Sequence, residues 1–577
     1  MRISVRIGLL LFVFTVWTIS AAPSPQSAIS PSTYSAYTGT DPKPLPPPPA
    51  LGPANTAIAD PTFGTRILRV TDENTKSGQS FISIDAGFFR AWNADSTAIK
   101  LTGPYGDGYW LEFDPSTFTV GDGSSQPAVH SLPFGARWEW STIDPNVIYY
   151  LNGNQIAQYN KVTEVSTNLG GPSTGDPVAY MAVVVGWDYW VCAAAGPGIQ
   201  GTWTKIFCVN PTSPSITKLI DIVNKTVDGV PQGDPNWPAS EPNQVLGIHS
   251  ISGGTGASWL EVTFSPQSWG ATAVFNLSTH TWTLITHADI YWSGHVSMGN
   301  GKYANSSGSI NGLDSRGMVL RNPDNAMNSA EYQFIAQPSS PWNGWCDSDH
   351  SSWLNSVTNP NAPILFSRYG GGSSCYQYAW TGEIDAAAVD GSNTVWRFAH
   401  NHNSGSSCYY GGSFAQISND GMWALFSSPW GGTLGSDTAF GCSNRIDTFI
   451  VDLAGSSAPQ TSLNASPISA SVGETVTATW VGIVSPSESD WIGLYQAGSA
   501  DTEYLDWQYV SCSKAQGSPT ASGSCGFVLP NSLSSGTYQF RLFANGGFTR
   551  IATSNDFTVT NNQLSPSVRL SLRPREL

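Results

Sequence analysis

The chain has 577 residues, of which 11% are charged and 12% aromatic, and it carries 23 tryptophans. So few charged residues argue against a helix-rich protein, and so many aromatic residues argue against disorder. The net charge of -16 excludes nucleic-acid binding through a basic surface. The composition therefore predicts an exported, turn-rich, all-β protein with more than one domain.

The first 22 residues have the layout of a secretory signal peptide. Arg2 and Arg6 give a positive start, and the apolar run from Ile7 to Ile19 is too short to cross a bilayer as a stable helix. An uncleaved membrane anchor is the alternative interpretation. Because the sequence contains no second apolar run of about 18 residues or more, we expect a secreted chain, extracellular or periplasmic, without a transmembrane segment after cleavage.

The cysteines also favour export. There are eight of them, an even number, and none forms a Cys-x-x-Cys motif, which makes disulfides more plausible than a zinc site. Pairing between sequence neighbours is the simplest scheme, and other pairings stay open. This scheme joins Cys192 to Cys208, Cys346 to Cys375, Cys408 to Cys442, and Cys512 to Cys525.

Residues 23–60 differ in composition from the rest of the chain. They are rich in Pro, Ser, Ala and Thr, with consecutive prolines at 46–49. This composition predicts an extended, solvated linker without a core of its own. From 61 to about 455, short β-branched and aromatic runs alternate instead with Gly, Asn, Asp, Ser and Pro, which is typical of short strands and turns.

One pattern recurs within 61–455: a strand, a turn rich in Asp, Asn and Gly, and a second apolar strand. The clearest copies begin at residues 90, 138, 294 and 415, and weaker copies begin near 180, 247 and 349. Seven units of about fifty residues predict a seven-bladed β-propeller. Six or eight blades, a large β-sandwich and a right-handed β-helix are the alternatives. The strand at 65–71 is expected to pair with the last blade and close the ring.

One turn supports the propeller through a family resemblance. The segment Ser418-Asn-Asp-Gly421, followed by an apolar strand, resembles the repeats of TolB-like propellers. The resemblance extends over 61–455 as a pattern of strands and turns. It implies the same ring fold and carries no implication about function.

Three further segments complete the chain. They are a linker at 456–463, an immunoglobulin-like β-sandwich at 464–561 and a disordered tail at 562–577. The alternation of Tyr538, Phe540 and Leu542 indicates a strand with one apolar face, and about a hundred residues of such strands suit the sandwich. The segments 490–495 and 536–541 resemble SKICH-type and related Ig-like modules, which implies a binding or spacer role.

Histidines are scarce, and three of the eight recur at intervals of a blade's length: His249, His295 and His350. Each is predicted to precede the inner strand of its unit, so that all three face one end of a central funnel. Residues at the aligned positions of other units complete the predicted ring. They are Arg90, Arg137 or Glu139, and Gln416.

A His-x-His pair, His400 and His402, lies between the last two units. In an extended segment both imidazoles lie on one face, and three or more converging imidazoles suit a divalent metal such as Mn, Fe, Ni or Zn. The alternative is that inner-strand histidines hydrogen-bond backbone groups in a crowded channel. The remaining histidines, His130, His280 and His287, fit no such series and are interpreted as surface or turn residues.

A propeller with inner-strand histidines and a His-x-His pair resembles oligogalacturonate lyase and related propeller polysaccharide lyases. The resemblance implies β-elimination from a uronate-containing extracellular polysaccharide, assisted by a divalent metal, Mn or Ca. The implied metal ligands are His350, His400, His402 and Gln416. The implied base is His249 or His295, and the implied partner of the substrate carboxylate is Arg90 or Arg137. Where that family has a glutamine three residues before its His-x-His pair, this chain has Arg397.

Aromatic residues at turns favour a second function, glycan binding without chemistry. Flat rings pack against the C–H faces of sugars while their polar edges stay hydrated. The candidates are Trp342, Trp345, Tyr376, Tyr409 and Tyr410. Packing between blades is the alternative interpretation of these rings. A lectin-like propeller or a cell-surface scaffold is therefore the alternative to the lyase, and in each case we expect a monomer.

Overall fold

A computed structural model gives the structure of the chain. It describes residues 30–76, 79–83, 90–104, 106–135, 138–185, 189–196, 203–235, 237, 244–249, 251–252, 259–265, 271–285, 297–306, 317–321, 333–338, 348–369, 378–403, 409–454, 462–481, 483, 486–520 and 522–561. These residues contain no α-helix, and their helical turns are the 3₁₀ segments Leu354–Val357, Tyr409–Gly411 and Trp430–Gly432. No helix in this part of the chain has the length and apolar character needed to span a membrane.

The regular secondary structure in the N-terminal half of the described chain consists of short strands. The first three are β1 (Tyr37–Thr38), β2 (Ala57–Ala59) and β3 (Arg66–Arg69). Blade 1 contains β4 (Ala98–Thr102), β5 (Asp107–Asp114), β6 (Thr119–Val120) and β7 (His130–Gly135). Blade 2 contains β8 (Trp138–Trp140), β9 (Val147–Asn152), β10 (Gln155–Asn160) and β11 (Val165–Gly170). Blade 3 contains β12 (Val178–Val185), β13 (Tyr189–Ala195), β14 (Lys205–Val209) and β15 (Thr217–Asp221), with the added hairpin β16 (Thr226–Val227) and β17 (Val230–Pro231).

The strands continue in the same way through the second half of the ring. Blade 4 contains β18 (Gln244–His249), β20 (Trp259–Ser265), β21 (Ala271–Asn276) and β22 (Thr281–Ile285), and β19 (Ile251–Ser252) pairs with blade 3. Blade 5 contains β23 (Ser297–Gly299), β24 (Lys302–Ser306), β25 (Met318–Arg321) and β26 (Gln333–Ala336). Blade 6 contains β27 (Ser348–Ser352), β28 (Ile364–Tyr369), β29 (Glu383–Ala387) and β30 (Val395–His400). Blade 7 contains β31 (Gln416–Ile417), β32 (Trp423–Ser428) and β33 (Asp447–Asp452).

Each blade is an antiparallel sheet. In blades 2 to 7 successive strands are neighbours, whereas in blade 1 both β6 and β7 pair with β5. In the residues that the structure describes, these sheets number seven, which confirms the predicted all-β fold with seven blades. In the described residues, the innermost strand of blade 1 is reduced to an isolated bridge, in which Trp92 pairs with Ile99 of β4. The turn between β31 and β32 shows why the repeat motif folds locally. Ser418 Oγ accepts from the Trp423 N–H at 3.0 Å, and Gly421 supplies a φ of 70°.

Buried apolar clusters join neighbouring blades around the ring. Each cluster contains residues of two or more neighbours, such as Trp110 with Ile148, Tyr149 with Val191, Ile206 with Leu260 and Met298, Met318 with Phe366, Leu365 with Phe426, and Ile450 with Ile99. Fully burying one such side chain stabilises a fold by about 1.5–3 kcal/mol. A single blade exposes the apolar residues of both its faces to water. In the closed ring, each face packs against a neighbouring blade.

The ring is closed by the N-terminal strand β3, which pairs antiparallel with β33 of blade 7. This pairing confirms the closure predicted for residues 65–71. Two salt bridges hold it, since Arg66 contacts Asp452 at 2.6 Å and Arg69 contacts Asp447 at 2.6 Å. Arg445 also donates to Asp447, so both carboxylate oxygens of this buried residue are paired.

Polar side chains connect the inner strands of neighbouring blades. In each case the side chain of one blade accepts from a backbone N–H of a neighbouring blade. The pairs are Ser297 with Trp353 at 2.9 Å, Ser352 with Ile417 at 3.3 Å, Gln416 with Ala91 at 2.6 Å, and Glu139 with Arg90 at 2.9 Å. These bonds satisfy backbone donors that no strand partner reaches in the crowded centre of the ring.

Residues 30–59, which we call the N-terminal strap, correct the expectation of a solvated linker. The backbone is extended as expected, but the strap packs along the outer strands of blades 6 and 7. Tyr34 is buried and donates to the Gly421 carbonyl, and β1 pairs with β30. Trp430 donates to the carbonyl of Pro49 at 2.8 Å. The strap packs on the propeller instead of staying solvated because these long-range hydrogen bonds pair buried polar groups of the strap and the propeller.

The C-terminal strands form two sheets packed face to face. Their bounds are β34 (Ser462–Ser466), β35 (Ser469–Ser471), β36 (Thr475–Val481), β37 (Trp491–Gln496), β38 (Asp506–Tyr509), β39 (Gly523–Val528), β40 (Gly536–Ala544), β41 (Thr549–Thr553) and β42 (Phe557–Thr560). The smaller sheet has the order β34-β36-β39 and the larger one β35-β42-β40-β37-β38 with β41 beside β40. Val476 and Trp480 pack between the sheets with Ile492 and Phe540. The Ig-like identity of this sandwich stays a prediction.

Two of the four predicted disulfides are confirmed. Cys192 is bonded to Cys208 across β13 and β14, and Cys512 is bonded to Cys525. Cys442 is also disulfide-bonded. The other cysteines of the scheme, Cys346, Cys375 and Cys408, lie outside the described residues, so the remaining two bridges stay predictions.

Candidate functional site

Several predicted site residues lie outside the described residues. They are Arg137, His295, Trp342, Trp345 and Tyr376. For two others, His249 and Tyr409, the structure gives the place in the chain only. His249 is the last residue of β18, and Tyr409 opens a 3₁₀ turn.

The predicted ring of equivalent histidines needs a correction. His249 ends its inner strand, whereas His350 is the third residue of β27, and neither precedes the strand as expected. The positions of the histidines within their strands therefore differ between blades 4 and 6, which spacings of about a blade's length in the sequence do not reveal.

The predicted metal ligands His350 and His400 do not converge. They lie on the first and last strands of blade 6, three strand spacings or about 14 Å apart. His350 is in register with Ser367 and through it with Ile384, while His400 pairs with Glu383. Because neighbouring residues of a strand point to opposite faces, the two histidines belong to opposite faces of the blade. His350 instead packs edge-on against Phe414 at 4.4 Å.

Gln416, the fourth predicted ligand, is hydrogen-bonded to blade 1 of the propeller. Its side-chain carbonyl accepts from Ala91 N–H, its backbone carbonyl accepts from the Trp92 indole, and it is fully buried. Among the described residues, no group of three or more His, Cys, Asp or Glu side chains is placed to hold a metal ion. Two imidazoles at residues 400 and 402 do not complete the shell that the resemblance implies. The described residues therefore do not fit the implied metal, and no step below uses one.

Arg90 and Tyr410 have structural partners. Arg90 is buried near Glu139, and its guanidinium lies 3.4 Å from the side-chain oxygen of Asn419. Burial lowers the pKa of Arg90 to about 10, against the opposing effects of Tyr189 and Glu139. Tyr410 is half-buried and contacts Phe440 at 5.3 Å, which favours the packing interpretation of this ring.

The structure instead brings ionisable residues together on blade 6, beneath the N-terminal strap. We call Asp60, Glu383, Asp385, Arg397 and His400 the blade 6 cluster. Arg397 donates to both carboxylate oxygens of Glu383, at 2.7 and 2.6 Å, and to the backbone carbonyl of Asp41 at 2.8 Å. This bidentate pair is fully buried. The guanidinium is therefore already neutralised by Glu383, and each of its three nitrogens donates a hydrogen bond to the chain's own groups.

Asp385 lies beside this pair on the same strand face, two residues from Glu383. Burial raises its pKa well above the usual value, and the charge of Glu383 adds to the rise, with Arg397 and Arg368 opposing it. The pKa of Glu383 is raised by burial too, and Arg397 offsets part of that rise. Neither carboxyl oxygen of Asp385 has a hydrogen-bond partner in the described structure, so burial and the charge of Glu383 both favour its neutral form.

His400 is held by Asp60, which directly follows the N-terminal strap. One oxygen of Asp60 accepts from the His400 backbone N–H at 2.7 Å and lies 3.1 Å from Nδ1, and Phe63 stacks on the imidazole at 5.1 Å. Burial by itself would raise the pKa of Asp60, but the hydrogen bonds and charge of His400 outweigh it and lower the pKa. The arrangement orients His400 with Nε2 directed away from Asp60.

His402 is buried, and its ring centre lies 6.1 Å from that of His400 and 4.6 Å from that of Trp430. Its backbone is left-handed, with a φ of 47°, and its carbonyl accepts from Gly431 N–H at 2.6 Å. Burial, with the neighbouring charge of His400, lowers the pKa of His402 to about 4. Neither ring nitrogen of His402, nor Nε2 of His400, has a hydrogen-bond partner in the described structure.

The sequence analysis identified the two histidines and missed their carboxylate partners. Asp60 lies 340 positions from His400 along the chain, so no local pattern connects them. Glu383 and Asp385 did leave a signal, because carboxylates two residues apart share one face of a strand. This pattern indicates a buried ionic cluster only when the neighbouring strand is known to place Arg397 opposite the two carboxylates.

Known proteins resemble the chain in fold alone. It matches no protein-family model, and no curated protein matches it in sequence. An oligogalacturonate lyase in complex with manganese has 10% identity over 72% of this chain and 100% of its own, with a TM-score of 0.44. The oligogalacturonate lyase of Vibrio parahaemolyticus has 9% identity over 69% and 96%, with a TM-score of 0.42. TolB of Acinetobacter baumannii has 9% identity over 60% and 76%, with a TM-score of 0.26. Similarity at this level carries no argument about activity.

Proposed function

We propose that the protein is an exported propeller that acts on an extracellular polysaccharide at the His400–His402 end of blade 6. One observation supports this: the imidazoles of His400 and His402 carry three buried nitrogens that lack a hydrogen-bond partner among the described residues. Leaving a buried polar group unpaired costs about 1–3 kcal/mol, so native structures nearly always pair such groups. A bound ligand or a transferred proton would supply the missing partner.

Acid–base chemistry suits these nitrogens. With a pKa of about 4, His402 is neutral in mildly acidic and neutral solution and is able to accept a proton. In β-elimination from a uronate, the base takes the proton next to the carboxylate. The bond from the adjacent ring carbon to the leaving sugar oxygen then breaks, a carbon–carbon double bond forms, and the leaving oxygen takes up a proton. We assign the role of base to His402.

The substrate carboxylate needs a cation, and two arginines are already engaged. Arg397 is paired with Glu383 and hydrogen-bonded to Asp41, and Arg90 is buried between blades. Arg137 stays the proposed partner from the sequence analysis. Export is proposed as well, and the disulfides Cys192–Cys208 and Cys512–Cys525 support it because such bonds persist in oxidising compartments.

The alternative is a propeller that binds glycan without turnover. The engagement of Arg90, Arg397 and Gln416 by the protein's own groups favours it, since groups committed to structure are not available for catalysis. Retention on an insoluble uronate polymer without any unsaturated product would support this reading.

The test is incubation with pectin, ulvan and alginate while the ultraviolet absorbance of unsaturated sugars is followed, with Mn or Ca alone and with a chelator. We expect His402→Ala to lower the rate by about 10²–10⁴-fold, the usual contribution of a general base. His130→Ala is the matched control, because His130 is an exposed histidine. Turnover that is equal in wild type and His402→Ala, or no product from any of the three polymers, would refute the assignment.

A further inference from the structure

The outer face of the larger sandwich sheet is aromatic. Along β37, Ile492 and Leu494 point into the sandwich core, so Trp491, Gly493 and Tyr495 point outward. Directly opposite Trp491 on the neighbouring strands are Tyr509 and Phe543. Opposite Gly493 are Trp507 and Arg541. Because a surface sheet face normally carries polar residues, this concentration of rings needs an explanation.

The base of this face is tightly packed. Trp491 stacks on Phe543 with ring centres 4.5 Å apart, and both rings are buried. Gly493 permits this packing, because a Cβ there would lie 2.6 Å from the Tyr495 ring and 3.0 Å from that of Trp491. The base rings therefore form a rigid platform rather than a loose apolar patch.

Partly exposed aromatic rings pack against these buried base rings. Tyr504 is 43% exposed and Phe548 is 49% exposed, and each contacts Trp491 edge-on, at 5.6 and 5.5 Å. Trp507 and Tyr509 are half-buried and meet edge-on at 5.0 Å. We call Tyr504, Trp507, Tyr509 and Phe548 the aromatic surface. Its two most exposed rings are separated by a single buried tryptophan, a separation that a disaccharide can span.

The charged side chains around the aromatic surface are paired, with three cations sharing two carboxylates. Asp501 pairs with Arg541 at 2.7 Å and lies 3.4 Å from Arg550, and Lys514 pairs with Asp506 at 2.7 Å. Every cation named here already has a carboxylate within salt-bridge distance. A strongly anionic or cationic partner would have to break these pairs, whereas the hydroxyl groups of a neutral sugar can hydrogen-bond to them as they stand.

We propose that the aromatic surface is a binding site for a neutral polysaccharide. The C–H faces of its pyranose rings would pack on the exposed rings, and its hydroxyl groups would bond to Arg550, Asp501 and Lys514. This site goes beyond the proposed function, since it lies on a different part of the chain and takes a different class of glycan. It would hold the protein on a neutral matrix, whatever the propeller binds.

The experiment uses the full chain and insoluble cellulose, chitin, xylan and β-1,3-glucan as probes. We expect retention on at least one of them, competed by its soluble oligosaccharide. The double variant Tyr504→Ala/Phe548→Ala should bind about tenfold more weakly or worse, which corresponds to the loss of ring stacking. Val528→Ala is the matched control, because Val528 is 63% exposed on the opposite sheet, and it should bind like wild type.

Three outcomes would overturn the inference. They are no retention of wild type on any probe, equal retention of wild type and the double variant, and binding to phosphatidylcholine vesicles with no binding to glycan. Because both substituted rings are largely exposed, a thermal melt should show that the double variant is folded. Uronate turnover by wild type is measured on the same preparation. Retention without turnover contradicts the proposed function alone, and turnover without retention contradicts this inference alone.

Discussion

His402 links the stability of the propeller to pH, because its imidazole is buried and neutral in the folded chain. Its pKa falls from 6.5 to about 4, so the unfolded chain binds a proton there at a higher pH than the folded chain does. Stability contributed by this residue is therefore lost as the pH falls from 6.5 towards 4. A shift of this size corresponds to roughly 3 kcal/mol.

The substitution His402→Asn should remove this dependence. Asparagine does not titrate, and it tolerates the left-handed backbone of residue 402, whose φ is 47°. Urea unfolding of both chains, followed by tryptophan fluorescence at intervals from about pH 4 to about pH 7, gives the free energy of unfolding. Relative to the variant, wild type should lose about 3 kcal/mol as the pH falls across this range.

The nearby carboxyl group of Asp60 does not contribute to the change in unfolding free energy between about pH 4 and about pH 7. The pKa of Asp60 is lowered from 3.8, so the stability it contributes is complete above pH 3.8 and is lost only at lower pH. The control is His130→Asn at an exposed histidine, which separates the effect of removing a surface imidazole from that of removing the buried one. Parallel stability curves for wild type and His402→Asn would refute the argument that His402 is buried in its neutral form.

Three further substitutions test the structural roles assigned above. Arg397→Met should destabilise the chain by about 3–5 kcal/mol in urea unfolding, because it leaves the Glu383 carboxylate buried without its cation. Gln416→Ala should cost about 1–3 kcal/mol by removing the acceptor of a buried backbone N–H of blade 1, with metal content unchanged from wild type. Replacing Cys192 and Cys208 together by Ala should cost about 3 kcal/mol in thermal unfolding, because their bond closes a loop of 16 residues.

Each of these predictions has a result that would contradict it. If Arg397→Met/Glu383→Gln is no more stable than Arg397→Met alone, the buried charge is not the source of the loss. A chain that loses bound metal on Gln416→Ala without losing stability would restore the ligand role. Equal melting temperatures before and after removal of Cys192 and Cys208 would show that blade 3 does not depend on its cross-strand bond.

The blade repeat could be predicted because its information is local. A turn such as Ser418 to Gly421 encodes its own hydrogen bonds and its positive φ, and such turns recur at regular intervals. The closing strand at 65–71 was also predictable, because a ring of sheets needs a partner for its last edge. The docking of the N-terminal strap was not, because its contacts join residues such as Pro49 and Trp430 that lie 381 positions apart.

The site was harder to predict than the fold, because it depends on register. The family resemblance implies that His350 and His400 share a metal, but the pairing of β27 to β30 puts the two on opposite faces. A bulge beside Ile384 and Asp385 changes the alternation further. Composition and spacing do not encode such a one-residue offset, and a slip of one residue moves every side chain of a strand to the other face.

The closure of the ring by β3 also sets the order in which the chain can finish folding. During synthesis β3 emerges early, but its partner β33 is made only after every other blade, since Leu68 and Ile450 are partners across almost the whole propeller. Contacts between such distant residues form slowly. Until they form, β3 and β33 each present an unpaired edge that another chain could join. A newly made chain therefore carries two open strand edges until its last blade has formed.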